Sequence, residues 1–335
     1  MAMDAIIVEN LTKQFNGLAA VDRVSFSVGE GELFGLLGPN GAGKTTTINM
    51  LSTLLRPTSG SAFVAGFDVS RSRESVRKSI GIVFQEPALD IKLTGRENLE
   101  FHAMMYGIDK VERRRRIDEV LALVELTDKA RVLVEHYSGG MKRRLEIARG
   151  LIQQPKVLFL DEPTLGLDAQ TRRNIWDYIK RLNKERRVTI ILTTHYMEEA
   201  DYLCERIAIM DRGVFVALDT PTRLKDLLGG DVVCLEVEGD PEPLVAEIKT
   251  APWIKTYSRH EDTLNLTMEK GERRIPELVM MAQRRGVTVA SVQLRKPSLE
   301  DVFLHFTGRT IREQEASADE RNRAKIPGHG MGRRR

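Results

Sequence analysis

The stretch GPNGAGKT, Gly38 to Thr45, limits what this chain can fold into more than any other feature. It follows the apolar run ELFGLL (32–37), of buried-strand type, and leads into a helix expected to begin near Gly43. The pattern is G-x-x-x-x-G-K-[ST], a turn that cradles phosphate between a strand and a helix. Gly38, Gly41 and Gly43 let the backbone fold tightly, so that amide N–H groups point at phosphate oxygens from the positive end of a helix. Lys44 brings a point charge to the β- and γ-phosphates of a nucleotide, and Thr45 offers a hydroxyl to Mg²⁺. Pro39, Asn40, Ala42 and Thr46 complete the expected nucleotide-binding set. A chance match arises in about one chain in a hundred of this length, and the flanking strand and helix make accident rarer still.

A second stretch, VLFLDEPTLGLD (157–168), runs four apolar residues into the adjacent carboxylates Asp161 and Glu162. An unpaired carboxylate is costly at the tip of a core strand. A phosphate-binding loop explains the pair, because it needs a neighbouring strand that delivers a carboxylate to the metal. Asp161 is expected to hold Mg²⁺ through a water. Glu162, one residue on, is placed to orient or deprotonate an attacking water. Asp-Glu alone would otherwise be an ordinary strand-end pair starting a turn.

Strands alternate with amphipathic helices through the first two thirds of the chain, which indicates an α/β fold with a mostly parallel sheet. VTIILTT (188–194) is a further apolar run, and RENLEFHAMMYG and VERRRRIDEVLALVEL are helical stretches between strands. The four arginines at 113–116 have Glu112, Asp118 and Glu119 at helical spacing, so ion pairing on a wet face accounts for them. DTPTRLKDLLGGD closes this region with Thr220 as a cap, Pro221 in the first turn and Gly229-Gly230 as the stop. The order strand, helix, hairpin, helix, strand follows, a ferredoxin-like split motif without a catalytic constellation. A last helix begins at Ser298, with Asp301 three residues on. The expected domains are 4–228, then a docking or regulatory α+β domain at 231–308, then a disordered basic tail at 309–335. That tail holds eight basic and four acidic residues.

The whole chain carries 51 basic and 48 acidic side chains, a net charge of +3, which does not suit a nucleic-acid coat. Cys204 and Cys234 form no CxxC or His cluster, so neither a disulfide framework nor a zinc site is expected, and both read as small buried hydrophobes. No apolar run approaches the ~18 residues that span a bilayer. A soluble chain is expected, acting on a membrane only through a partner.

YSGGMKRRLEIARGL (137–151) resembles the signature helix of ABC-transporter ATPases. In that family Ser138, Gly139 and Gly140 would form a helix N-terminus that receives a γ-phosphate. The other family motifs follow in order over roughly residues 5 to 225. VFQE places Gln85 in the loop that contacts Mg²⁺ or the water and reports to the membrane partner. LGLD supplies Asp168, TTHYMEEAD supplies His195 as the switch histidine, and LTKQF puts Phe15 where an aromatic ring stacks on adenine. Alone, Phe15 would read as core packing and His195 as a structural histidine. Tyr137 and Met141 stand where the commonest form has Leu and Gln. With KPSLEDVFLHFTG near the C-terminus, they make the chain similar to the daunorubicin-resistance type of ATPase. That resemblance implies bound ATP and Mg²⁺, and a cassette homodimer in the ATP state. It also implies a separate ABC-2-type integral-membrane permease, and a peripheral position on the cytoplasmic face of the cell membrane.

Three function classes are open at this point. An exporter ATPase leads, moving a drug, lipid, polysaccharide or ion. An importer ATPase shares the cassette but carries a different appendage. An ATPase acting on ribosomes or DNA would show two cassettes or a long coiled-coil insert, and this chain has one phosphate loop, one signature and no sustained heptads. No nucleic-acid partner is expected.

Overall fold

Long apolar runs become parallel strands here because both of their faces are covered. The computed structural model describes residues 4–86, 88–260 and 263–308, so the basic tail at 309–335 lies outside the described residues. The chain opens with the antiparallel pair β1 (Asp4–Phe15) and β2 (Leu18–Gly29), then β3 (Leu33–Leu37) and α1 (Lys44–Leu51). There follow β4 (Ser59–Val64), β5 (Phe67–Asp68), α2 (Arg73–Ser79), β6 (Ile80–Val83), α3 (Gly95–Met105) and α4 (Lys110–Leu123). The signature segment forms α5 (Gly139–Leu151), followed by β7 (Val157–Asp161), α6 (Ala169–Arg186), β8 (Thr189–Thr194) and α7 (Met197–Leu203). The hairpin β9 (Arg206–Asp211) and β10 (Val214–Asp219) turns at Arg212 and Gly213, both at positive φ, the geometry that suits a two-residue hairpin.

One sheet has the order β2-β1-β4-β5 and the other β10-β9-β3-β8-β7-β6. They share one core, in which Ile6, Val8 and Phe26 meet Phe34, Leu36, Phe159 and Ile191, with Ile48 and Leu51 of α1 among them. The Phe26 and Phe34 rings stack with centroids 5.3 Å apart. In the second sheet β3 pairs in parallel with β8 and β9, and β7 with β6 and β8. The register sets Leu37 beside Thr194 and Asp161 beside Thr193. The carboxyl ends of three neighbouring strands therefore finish together, where ligands bind in open α/β sheets. On α4, Glu112 holds Arg115 at 2.6 Å and Arg116 at 2.7 Å, and Arg115 also pairs with Glu119, but Arg113 instead reaches Glu100 of α3 at 3.5 Å and Asp118 pairs with Arg96, because α3 packs alongside.

The chain divides into two compact units between Leu218 and Asp219, earlier than the expected end at residue 228. The physical reason is α8 (Pro221–Asp226), capped by Thr220, whose fully buried Leu224 belongs to a pairing with α11 (Leu299–Thr307). The second unit continues with β11 (Asp231–Glu238), α9 (Glu242–Ile248), β12 (Ile254–His260), β13 (Thr263–Met268), α10 (Gly271–Arg284) and β14 (Thr288–Arg295). Its sheet order is β12-β13-β11-β14, with every neighbour antiparallel, the arrangement of a ferredoxin-like split motif. Its own core joins Val233, Leu235, Leu264 and Leu266 to Leu244, Ile248, Leu278 and Ala282. The Ser298–Asp301 capping box starts α11 as the sequence indicates. Cys204 is buried, but Cys234 is only half-buried, because it points from β11 to the face opposite the core residues Val233 and Leu235.

Candidate active site

The loop between β3 and α1 has no room for side chains at its last turn. Gly43 sits at φ 108, and a Cβ there would lie 2.5 Å from the Ala20 carbonyl oxygen. Gly38 N–H donates to the Thr194 carbonyl at 3.2 Å, tying the loop to the end of β8. Lys44, only 4% exposed, curls back into the loop. Its Nζ donates to the carbonyls of Gly38 at 2.7 Å and Pro39 at 3.1 Å, and stands 3.3 Å from Glu162 Oε1. A cationic nitrogen in a ring of backbone groups at a helix N-terminus is fitted to phosphate.

Asp161 and Glu162 take different surroundings from one strand end. Thr45 Oγ1 donates to Asp161 Oδ1 at 3.1 Å, and Thr193 Oγ1 donates to the same oxygen. Burial raises the Asp161 carboxyl above its ordinary value, against the lowering effect of these two hydroxyls. Glu162 lies at φ 46, a left-handed conformation that is strained for a residue with a side chain. Its N–H is held by both the carbonyl and the hydroxyl of Thr193, at 3.2 and 3.0 Å. That twist aims its carboxylate at His195, whose Nδ1 stands 2.9 Å from Glu162 Oε2. Burial pushes the Glu162 carboxyl up, but the His195 hydrogen bond and the Lys44 charge outweigh it and hold the carboxyl below the ordinary range. Glu162 is thus ionised at neutral pH, and His195 donates to it from Nδ1.

Gln85 lines a cavity of about 560 Å³ together with Thr45, Phe84, Glu86 and Asp161. Thr45, Asp161 and Gln85 offer hydroxyl, carboxylate and amide oxygens to that space, a hard all-oxygen donor set that fits Mg²⁺. Lys44, Thr45, Asp161, Glu162, His195 and Gln85 therefore converge. Ser138, Gly139, Gly140, Asp168 and Phe15 lie apart from that network. Ser138 is exposed and caps α5 through Met141 N–H at 3.2 Å, with exposed Gly139 and buried Gly140 behind it. A Cβ on Gly140 would meet the Thr171 side chain at 2.5 Å, so the signature turn packs against the start of α6. Asp168 caps that helix, accepting from Thr171 N–H at 2.9 Å and its hydroxyl at 2.6 Å. Phe15 is 44% exposed, with Lys13 Nζ 5.0 Å from its ring centre, and so is not a core residue.

Several buried polar residues at the site escape sequence reasoning. Thr193 binds both carboxylate residues, and its only signal is a hydroxyl pair, TT, ending an apolar strand. Glu199 on α7 is fully buried and accepts from Thr164 Oγ1 at 2.8 Å and Trp176 Nε1 at 2.7 Å. Arg143 on α5 is 7% exposed and spends its guanidinium on the backbone around Glu162. Nothing in KRRLE distinguishes it from a surface arginine.

Comparison with known proteins gives two family matches. Residues 21–165 match the ABC transporter family, and residues 220–307 match the C-terminal domain of DrrA1-3-like ATP-binding proteins. The linearmycin resistance ATP-binding protein LnrL of Bacillus subtilis is 41% identical over 91% of this chain and 99% of its own length. This chain belongs to the drug-resistance type of ABC-transporter ATP-binding proteins. The daunorubicin resistance ATP-binding protein DrrA2 of Streptomyces coeruleorubidus is 41% identical over 93% of this chain and 98% of its own. Among solved structures, the MJ0796 cassette dimer bound to ADP and Pi is 30% identical, with a TM-score of 0.57 over 64% of this chain and 98% of that one. Members of the family bind ATP and hydrolyse it to power transport with a membrane permease, and this chain is an ATPase of the exporter kind. The second family match and the resistance-protein relatives support that reading over the importer alternative. Among the described residues no helix is long and apolar enough to cross a membrane.

Proposed function

We propose that this ATPase drives a separate ABC-2-type permease from the cytoplasmic face of the membrane, as a head-to-tail homodimer with two shared nucleotide sites. Its cargo is an amphiphilic toxic compound, a class suggested by the linearmycin, daunorubicin and doxorubicin resistance named for its relatives. The supporting observation is the network in which Lys44 and His195 flank Glu162 beside the Thr45–Asp161 pair.

When ATP enters, the N–H groups of Gly41 and of Gly43 to Thr46 take the phosphate oxygens, and Lys44 exchanges the Gly38 and Pro39 carbonyls for the β- and γ-phosphates. That exchange removes a cation from Glu162 and raises the basicity of its carboxylate. Glu162, steadied by His195, then accepts the proton of the attacking water. Thr45, Asp161 and Gln85 would hold Mg²⁺, which would neutralise charge on the phosphates. Phe15, exposed at the end of β1, stacks on the base. Ser138, Gly139 and Gly140 of the second copy present their helix N-terminus to the γ-phosphate, next to Asp168. Gln85, neutral and on the loop after β6, transmits the nucleotide state to the permease.

Purification from native membranes tests the pairing, with a multi-spanning membrane protein expected to accompany the chain. In the reconstituted pair, Gln85→Ala is expected to lower ATP hydrolysis modestly and transport much more. Equal losses would make Gln85 an ordinary active-site residue and remove its coupling role.

A further inference from the structure

We propose that Arg143 and Glu146 of α5 act as a positioning clamp that moves the Gln85 loop and the Glu162 backbone as one piece with the signature helix. The inference rests on the site reading above and adds residues to which that reading gives no role. Arg143 Nη1 donates to the Phe84 carbonyl at 2.7 Å, immediately before Gln85. Glu146 Oε1 accepts from Ala88 N–H at 2.9 Å, on the far side of Gln85. The two side chains join each other at 2.8 Å, so the loop is gripped from both flanks by one ion pair. The other edge of the guanidinium faces the carboxylate strand. Nε donates to the Pro163 carbonyl at 2.6 Å, and Nη2 donates to the carbonyls of Asp161 at 3.0 Å and Glu162 at 3.1 Å.

A buried ion pair can serve packing alone, and removing one partner is costly wherever it sits. The targets here argue for more. Arg143 reaches out of its own helix, and its acceptors beyond Glu146 are all backbone carbonyls. Those carbonyls belong to the two segments that carry Gln85 and Glu162. One of them is the carbonyl of Glu162 itself, the residue held in the left-handed conformation at φ 46. The planar fork fixes the distance between the two segments, which a point charge cannot do. The same helix begins at Ser138, so a shift of its N-terminus reaches both segments through a single side chain.

The test compares wild type with Arg143→Gln, Arg143→Lys and Glu146→Gln. Hydrogen exchange without nucleotide is read at the amides of Ala88, Glu162 and Leu165. Turnover and ATP affinity are measured separately. Arg143→Gln is expected to speed exchange in both segments together and leave the β1–β2 sheet unchanged. Its kcat should fall about tenfold or more, as sub-ångström misplacement of catalytic groups does, while the ATP Kd stays within about threefold. Arg143→Lys should restore neither. Glu146→Gln should loosen Ala88 and leave Glu162 and Leu165 protected, and it carries the test if Arg143→Gln does not fold. Faster exchange confined to α5, rescue by Lys, Glu146→Gln loosening neither or both segments, or a folded Arg143→Gln with near wild-type kcat overturns the clamp. Because the exchange needs no nucleotide, failure of the clamp is distinguishable from failure of the site reading, which an inactive wild type would reveal.

Discussion

Replacing Glu162 with Gln removes a charge and a proton acceptor while keeping nearly every contact. The amide oxygen can still accept from Lys44, which stands 3.3 Å from Oε1, and the amide nitrogen can donate to His195 Nδ1, now 2.9 Å from Oε2, once the imidazole carries its proton on Nε2. The backbone at φ 46 stays held by Thr193 and Arg143. What is lost is the proposed base. General-base catalysis is worth about 10²–10⁴ in rate, or about 3–5 kcal/mol of barrier at 1.36 kcal/mol per decade. The folded state loses one charge-assisted contact, about 1.5–3 kcal/mol, so the melting temperature should fall by several degrees without loss of fold. Phosphate release under saturating MgATP should therefore drop at least a hundredfold, with ATP affinity by equilibrium dialysis unchanged or tighter. A variant that hydrolyses within about tenfold of wild type would refute the base assignment. One that loses ATP binding would show that Glu162 organises the pocket instead.

Two further expectations follow from the buried acids and the two units. Burial raises the Glu199 carboxyl above its ordinary value despite the hydrogen bonds from Thr164 and Trp176. The unfolded chain then releases its proton first, so this group lowers stability as pH rises from about 4.5 towards the raised folded value, and Glu199→Gln should flatten that part of a denaturation series. If the slope persists unchanged, another group is responsible. Ending the chain after Leu218 should leave nucleotide binding intact while lowering transport with the permease, since the first unit keeps its own core. A folded truncation that no longer binds ATP would place part of the nucleotide site in the second unit.

The legible parts of the site are those built from local geometry. GPNGAGKT declares itself because a tight turn between a strand and a helix needs its glycines at fixed spacing. VLFLDE does so because two acids after an apolar run need a cation. Of the arginines at 113–116, Arg115 and Arg116 were equally readable, since their partners Glu112 and Glu119 lie one helical turn away, whereas Arg113 pairs with Glu100 of α3 and Asp118 with Arg96. Arg143 and Glu146 were not, because their partners, Phe84, Ala88 and Asp161 to Pro163, come from segments distant in sequence. Thr193 is hidden for the same reason: a threonine in a strand reads as a β-branched filler until the register sets it beside Asp161. The position of α8 also depends on a distant helix, which is why its sequence caps are readable and its domain membership is not. The capping of α6 by Asp168 shows a local role, and its part in a shared site depends on a second copy.

That second copy is the central claim. Within one chain, Ser138 caps α5 at an exposed turn, and no hydrogen bond among the described residues links it to the Gly38–Thr46 loop. A two-fold pairing would bring each such turn onto the other chain's nucleotide. Light scattering behind a sizing column measures this directly on the Glu162→Gln variant, which is expected to hold ATP while cleaving it at least about a hundredfold more slowly. Monomers are expected without nucleotide or with ADP, and a stable dimer in MgATP. A variant that binds ATP tightly and stays monomeric at high protein concentration would contradict the shared site.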